Sequence, residues 1–240
     1  MSEVIVERHD GWAEIIFNRP ERRNAVNEAV ATQFRDSLKA LIPDPDVRAI
    51  VVSGAGGAYC SGLDLKAYEN GPPSQAHRDA WDETHLLLLT CPKVLVTALQ
   101  GGAINAGAAL ALSGDLLVAG RLAFIQVGEA QFGMPVPINA AWLVLRHGEA
   151  TAMRFCLMAD RVGAEELLRL GVASEVVDDA EVPSRARAIA ARIAGFPESG
   201  VYGAKAAVRG TSVRMGAADW FAPARAASPL NPFTPTRVTG

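Results

Sequence analysis

The chain is poor in cysteine, with 3 in 240 residues. Cys60, Cys91 and Cys156 are an odd number without C-x-x-C spacing, and they read as reduced thiols of a cytoplasmic protein. Net charge is also small, −3 at neutral pH. That balance predicts neither a nucleic-acid partner nor a polybasic membrane surface. No unbroken apolar run approaches the ~20 residues of a membrane span. The first residues, Met-Ser-Glu-Val-Ile-Val-Glu-Arg, lack a basic flank followed by a long apolar core, so no signal peptide is expected. The glycines around Gly54 and Gly57 are not followed by Gly-Lys-Ser/Thr and do not fit G-x-G-x-x-G, which removes a phosphate loop. His77 and His85 stand at no ligand spacing, and no metal site is expected. G-x-S-x-G is absent, which leaves a serine hydrolase remote.

What is present is a large apolar fraction. At 50% hydrophobic and 20% charged, the chain can bury a sizeable core, as one large domain or one with an appendage. Residues 98–115 organise it. The apolar run Val94–Leu99 reads as a buried strand, and Ala106–Leu112 as a tightly packed helix of small residues. Between them Asn105 sits at the helix start. First-turn N–H groups have no partner in their own helix and favour negative charge, so this turn suits a developing oxyanion. Close packing that needs small side chains explains the same residues.

Along the chain, residues 4–6 and 12–17 predict two strands joined by the hairpin signal Asp10-Gly11. Asn27 caps a predicted helix whose apolar positions are Val30, Phe34, Leu38 and Leu41, and Pro43 and Pro45 stop it. Residues 50–52 form an apolar strand. Strand, helix and strand in that order imply a mostly parallel sheet buried on both faces. In the stretch Cys60-Ser61-Gly62-Leu63-Asp64, Gly62 permits a tight turn and Asp64 can cap a short helix. The Leu63 N–H is then free to face a ligand. Further helices are expected over residues 75–90, 138–145, 164–170 and 181–196, a strand over 174–177, and a boundary near Asp178-Asp179. Met134, Trp142 and Phe155 could line a tunnel or fill the core.

Several motifs, taken in order, resemble the enoyl-CoA hydratase/isomerase (crotonase) family. They are Asn18-Arg19-Pro20 with Arg23-Asn24-Ala25, then Ala58-Tyr59-Cys60-Ser61-Gly62-Leu63-Asp64-Leu65-Lys66. Next come Gln100-Gly101-Gly102-Ala103-Ile104-Asn105-Ala106-Gly107 with Asp115, Gly128-Glu129 through Gly133, and residues 161–177. The resemblance covers roughly residues 1–210. It implies an α/β spiral of repeated strand-strand-helix turns, followed by a helical region that makes trimers, often paired into hexamers. On that reading residues 1–180 are the acyl-CoA-binding core, and 181–240 a helical region with a proline-rich tail.

The resemblance also implies an acyl-CoA substrate, with coenzyme A arriving on the thioester and no separate cofactor. The thioester oxygen is expected between the N–H groups of Leu63 and Ala106. Ala25, Ser61, Gly62, Asp64, Leu65, Lys66, Gly107, Ala109 and Phe132 are carried over as substrate contacts, and Lys205 as a residue near the nucleotide end. Three consecutive glycines are common in the family where this chain has Asn105-Ala106-Gly107. At a helix start φ is negative, so Ala106 is expected to serve. A family stretch like Lys-Arg-Lys-Pro, which helps close the nucleotide site, is missing near the tail.

Hydratases of the family use two glutamates. The first falls on Ala109 here and the second on Glu129. General acid–base help is worth about 10²–10⁴-fold, so the missing carboxylate argues against an efficient hydratase of the standard kind. One base suffices for moving a double bond. Apolar neighbours such as Phe124, Val127, Phe132 and Met134 should raise the pKa of Glu129. Three readings follow: a 3-enoyl to 2-enoyl isomerase or a relative doing other enolate chemistry, a hydratase with a substituted group such as Gln126, or a non-catalytic acyl-CoA binder.

Overall fold

The computed structural model describes residues 2–69, 71–212 and 221–226. Strands β1 (Val4–His9) and β2 (Trp12–Phe17) form an antiparallel hairpin closed by Asp10-Gly11, with Gly11 at φ +76° as the two-residue turn requires. Helix α1 (Glu28–Leu41) starts where Asn27 Oδ1 accepts the Val30 N–H at 2.8 Å. Strand β3 (Ala49–Gly54), helix α2 (Gln75–Thr90), strand β4 (Val94–Leu99) and strand β5 (Gly102–Ile104) follow. Ser74 caps α2 by accepting the His77 N–H at 3.0 Å. Helix α3 (Ala106–Leu112) leads to strands β6 (Leu116–Gly120) and β7 (Phe124–Gln126), then helix α4 (Pro137–Met158). The remainder is strand β8 (Arg161–Gly163), helix α5 (Ala164–Arg169), strand β9 (Glu175–Val177) and helices α6 (Val182–Ala194), α7 (Glu198–Ser212) and α8 (Ala222–Ala226).

Six strands make the main sheet in the order β1-β2-β3-β4-β6-β9, parallel from β2 onward; β5-β7-β8 make a second, smaller sheet. The chain passes repeatedly from the main sheet into the small one and back through a helix, which is the expected spiral. Alternation along β3 shows the two buried faces: Ile50 and Val52 join the core under α1 to α4, while Val51 points to Val182, Ala186 and Ala190 of α6. Residue 180, where the sequence reading expects a boundary, lies between β9 and α6, and α6 packs directly on β3, β4 and β6.

The structure differs from the sequence reading in several features, strand β6 among them, which the sequence reading does not contain. The three-residue strands β5, β7 and β8 are too short for a periodic pattern, and their pairing is set by the corners that precede them. Helix α4 runs well beyond residues 138–145, with a break at Gly148 (φ +81°). Asp64 does not cap the short turn after it; its carboxylate is 2.9 Å from Arg19 Nη2 in a nearly buried ion pair. The cysteines are free and buried. No helix among the described residues is long and apolar enough to cross a membrane.

Candidate active site

The arrangement begins at a short parallel bridge between Cys60 and Ala103, where the Cys60 N–H donates to the Gly102 carbonyl (3.2 Å) and the Ile104 N–H to the Cys60 carbonyl (3.0 Å). Leu63 lies three residues beyond Cys60 and Ala106 three beyond Ala103, so the two parallel segments carry them forward together. Close approach fixes the glycines there. A Cβ on Gly62 (φ +94°) would lie 2.8 Å from the Ile104 carbonyl oxygen, and one on Gly107 2.2 Å from the Cys60 carbonyl oxygen. Among the described residues no acceptor takes the N–H of Leu63 or of Ala106. Both residues remain partly accessible.

The loop carrying Leu63 is held by the Arg-Asn-Ala motif. Asn24 is fully buried at φ +56°; its Nδ2 donates to the carbonyls of Ala58 (2.6 Å) and Ala55 (3.0 Å), and its Oδ1 accepts the Arg19 N–H (2.8 Å). Arg19 in turn donates to the Ala25 carbonyl at 2.6 Å and pairs with Asp64. The Ser61 N–H donates to the Arg23 carbonyl, and the Val26 N–H to the Gly62 carbonyl at 2.7 Å. Leu65 and Lys66 are exposed on the following turn.

On the other side Asn105 is the hub. It adopts φ +51°, ψ −109°, so the unusual backbone falls on the first position of Asn105-Ala106-Gly107, and Ala106 enters the helix without strain. Its N–H donates to the Gln126 carbonyl (2.8 Å), and its Oδ1 accepts the Gly128 N–H (2.8 Å). Those two bonds place Glu129 beside the start of α3. Glu129 Oε1 accepts from Asn139 Nδ2 at 3.0 Å, while Oε2 is buried with no hydrogen-bond partner among the described residues. Burial pushes the Glu129 carboxyl up to about 7, against the opposing pull of its backbone and Asn139 hydrogen bonds. The Cys156 thiol is pushed up to about 11 by burial and by the nearby Glu129 charge. Ala109 is buried one turn into α3.

The structure thus brings together Ser61, Gly62, Leu63, Asn105, Ala106, Gly107 and Glu129. It does not bring Lys205 to them. Lys205 Nζ donates to Asp115 Oδ2 and to the Lys93 carbonyl, both at 2.6 Å. Arg146 and Arg209 converge on the same carboxylate, at 3.3 and 3.5 Å. Burial alone would raise the Asp115 carboxyl; Lys205 and Arg146 outweigh it and hold it below the usual range. This cluster lines a separate cavity of about 930 Å³ between α3, α4 and α7, to which Leu63, Ala106 and Glu129 contribute nothing. Phe132 is 54% exposed, whereas Trp142 and Phe155 are core residues; Trp142 Nε1 donates to His85 Nδ1 at 3.0 Å. Gln126 Nε2 donates to the Ala159 carbonyl at 3.1 Å.

Sequence reasoning missed Asn139 as a site residue and treated Asn105 only as a helix start. A lone Asn after Pro-Val-Pro gives no local signal, because its partners come from two other segments. Glu7, His9 and Glu14 also converge at the first hairpin, but the Glu14 carboxylate is already engaged by Ser53 Oγ (2.5 Å) and Arg187 Nε (2.7 Å).

A two-sheet spiral of this topology is shared with known proteins. The family model for enoyl-CoA hydratase/isomerase matches residues 7–220, and the chain belongs to that family. A protein of Rhodobacter capsulatus named a probable enoyl-CoA hydratase is 34% identical over 196 residues, 80% of this chain and 76% of that one. The 1,2-epoxyphenylacetyl-CoA isomerase of Escherichia coli is 29% identical over 208 residues, 84% of this chain and 79% of its own. Among solved structures, carnitinyl-CoA hydratase from Mycobacterium avium superposes with a TM-score of 0.85 at 29% identity, covering 95% of this chain and 89% of that one. An enoyl-CoA hydratase/isomerase from Xanthobacter autotrophicus gives 0.85 at 28% identity, covering 95% and 86%.

Proposed function

We propose that this family enzyme is a 3-enoyl-CoA to 2-enoyl-CoA isomerase, with Leu63, Ala106 and Glu129 as its catalytic groups. The observation that carries the reading is the partly buried Glu129 carboxylate, its Oε2 shielded from solvent, beside the two amides, with Ala109 where a second acid would be needed for standard hydration. In a 3-enoyl thioester the α proton lies between the carbonyl and the alkene. The Glu129 carboxylate takes it, and the electron pair moves into a dienolate whose oxygen accepts from both N–H groups. The same carboxyl then returns the proton at the γ carbon. Atoms balance without water, metal or redox partner; coenzyme A is only the handle of the substrate. Each oxyanion donor is worth roughly 2.7–4 kcal/mol in such a step.

Hydration is the second reading, supported by the names of several relatives. Gln126, the side chain that could orient water, already donates one Nε2 proton to the Ala159 carbonyl. A panel of 2-enoyl and 3-enoyl thioesters followed by mass spectrometry separates the readings. Isomerisation leaves mass unchanged, hydration adds one water, and coenzyme A binding without turnover selects a non-catalytic binder. Loss of isomerisation in Glu129→Gln, with Gln126→Ala still active, is the expected pattern. We further propose that the enzyme is cytoplasmic and assembles as a homotrimer or homohexamer.

A further inference from the structure

Asn139 sits in the first turn of α4 with 3% of its surface exposed. Its single amide nitrogen makes two bonds: one to the Asn105 carbonyl at 3.1 Å, the other to Glu129 Oε1 at 3.0 Å. A peptide carbonyl can only accept, so the nitrogen must be the atom that faces Asn105. Flipping the amide would set oxygen against oxygen on both sides. The two protons of one NH₂ group therefore go to the two partners.

We infer that Asn139 is a positioning residue that locks Glu129 and the Asn105–Ala106 peptide into one unit, leaving Glu129 Oε2 as the working oxygen. The inference rests on the isomerase reading for its kinetic part only. The Asn105 carbonyl belongs to the same peptide as the Ala106 N–H. A donor on that carbonyl polarises the peptide and strengthens the N–H toward an enolate. It also holds Asn105 in its positive-φ conformation from a third side, besides the bonds to Gln126 and Gly128. With Oε1 occupied, a proton arriving at Glu129 goes to Oε2, the oxygen without a partner among the described residues. Asn139 Oδ1 is buried and likewise unpartnered there. The other titratable group acting with Glu129 is Cys156 of α4, a thiol that stays neutral through the range in which Glu129 titrates.

The test needs no substrate at first. Protein carrying ¹³C-labelled glutamate is titrated by NMR, the Glu129 carboxyl being assigned by its loss in Glu129→Gln. Asn139→Leu keeps the volume and removes the donor. Its Glu129 midpoint should rise by about one pH unit over wild type, because a hydrogen bond to the charged form has gone. If Asn139→Leu does not fold, Asn139→Asp takes its place. It sets a second carboxyl against Oε1, and the midpoint should rise further as the two share a proton. With a 3-enoyl thioester, Asn139→Leu should lose roughly 10–100-fold in kcat with KM little changed, and its kcat/KM profile should move up in pH with the NMR midpoint. An unchanged Glu129 midpoint in the folded variants overturns the inference, as does lost activity with an unmoved pH profile. Wild-type protein that turns over no enoyl thioester sinks the isomerase reading instead, while the NMR shift still decides the role of Asn139.

Discussion

As the proposed base, Glu129 depends on surroundings that disfavour its charge, and the same surroundings make it a weak point of the fold. Its carboxyl is raised from the ordinary 4.5 to about 7 by burial. Below pH 4.5 the group is protonated in both folded and unfolded chains and adds nothing. Between 4.5 and 7 the unfolded chain releases its proton first, so stability falls as pH rises, and above 7 the loss is complete. Glu129→Gln should therefore match wild type at pH 4 to within the neutral substitution and exceed it at pH 8 by roughly 2–4 kcal/mol. Urea unfolding at the two pH values checks this. A stability gap independent of pH would mean that the carboxyl titrates normally. Activity should run the opposite way, with kcat/KM rising through pH 7 as the base form appears.

The paired amides depend on how two segments leave a shared bridge, so their geometry belongs to strands and turns rather than to side chains. Ala106 and Leu63 can change side chain with little effect; Gly62 cannot. Gly62→Ala puts a methyl 2.8 Å from the Ile104 carbonyl oxygen at φ +94°, which must push the Leu63 N–H out of line. The expected cost is about 10²–10³ in kcat, the value of one oxyanion donor, with KM less affected. Leu63→Ala is the control and should keep most of the activity. Equal kcat in Gly62→Ala and wild type would remove Leu63 from the site.

The same level shows what could be read from residues alone. Helices α1, α2 and α3 are legible locally: α1 from the Asn27 cap and its apolar spacing, α2 from the prolines at Pro72-Pro73 and Pro92 that bracket it, α3 from its run of small apolar residues. That the N–H groups of Leu63 and Ala106 lack an acceptor among the described residues was legible by motif, since a tight glycine turn and an open helix start leave such groups free. The small sheet was not, because three residues carry no period. Asp64 met Arg19 instead of the turn after it, and Lys205 met Asp115 across 90 residues of chain. Partners that far apart are chosen by the fold, and Asn139, tied at once to residues 34 positions and 10 positions earlier, is the same case.

The described residues leave an apolar face open on α4 and α5. On the second half of α4, Met153 and Leu157 lie one turn apart on the same side, 50% and 72% exposed, with Met158 at 63% beside them. Leu168 of α5 is also exposed at 45%, and the Arg154–Glu166 pair at 3.6 Å ties the two helices together. Grouped apolar side chains at that exposure suit a contact between copies of the chain, and the proposed trimer supplies one. Burying a leucine side chain is worth about 1.5–3 kcal/mol, counted once in each contact of a closed ring. Leu157→Glu should therefore convert the oligomer to monomer in light scattering at micromolar concentration, while circular dichroism stays unchanged because the position is exposed in the single chain. If the variant keeps the mass of wild type, α4 is not the contact. If wild type itself runs as a monomer, the trimer is withdrawn and this face needs another partner.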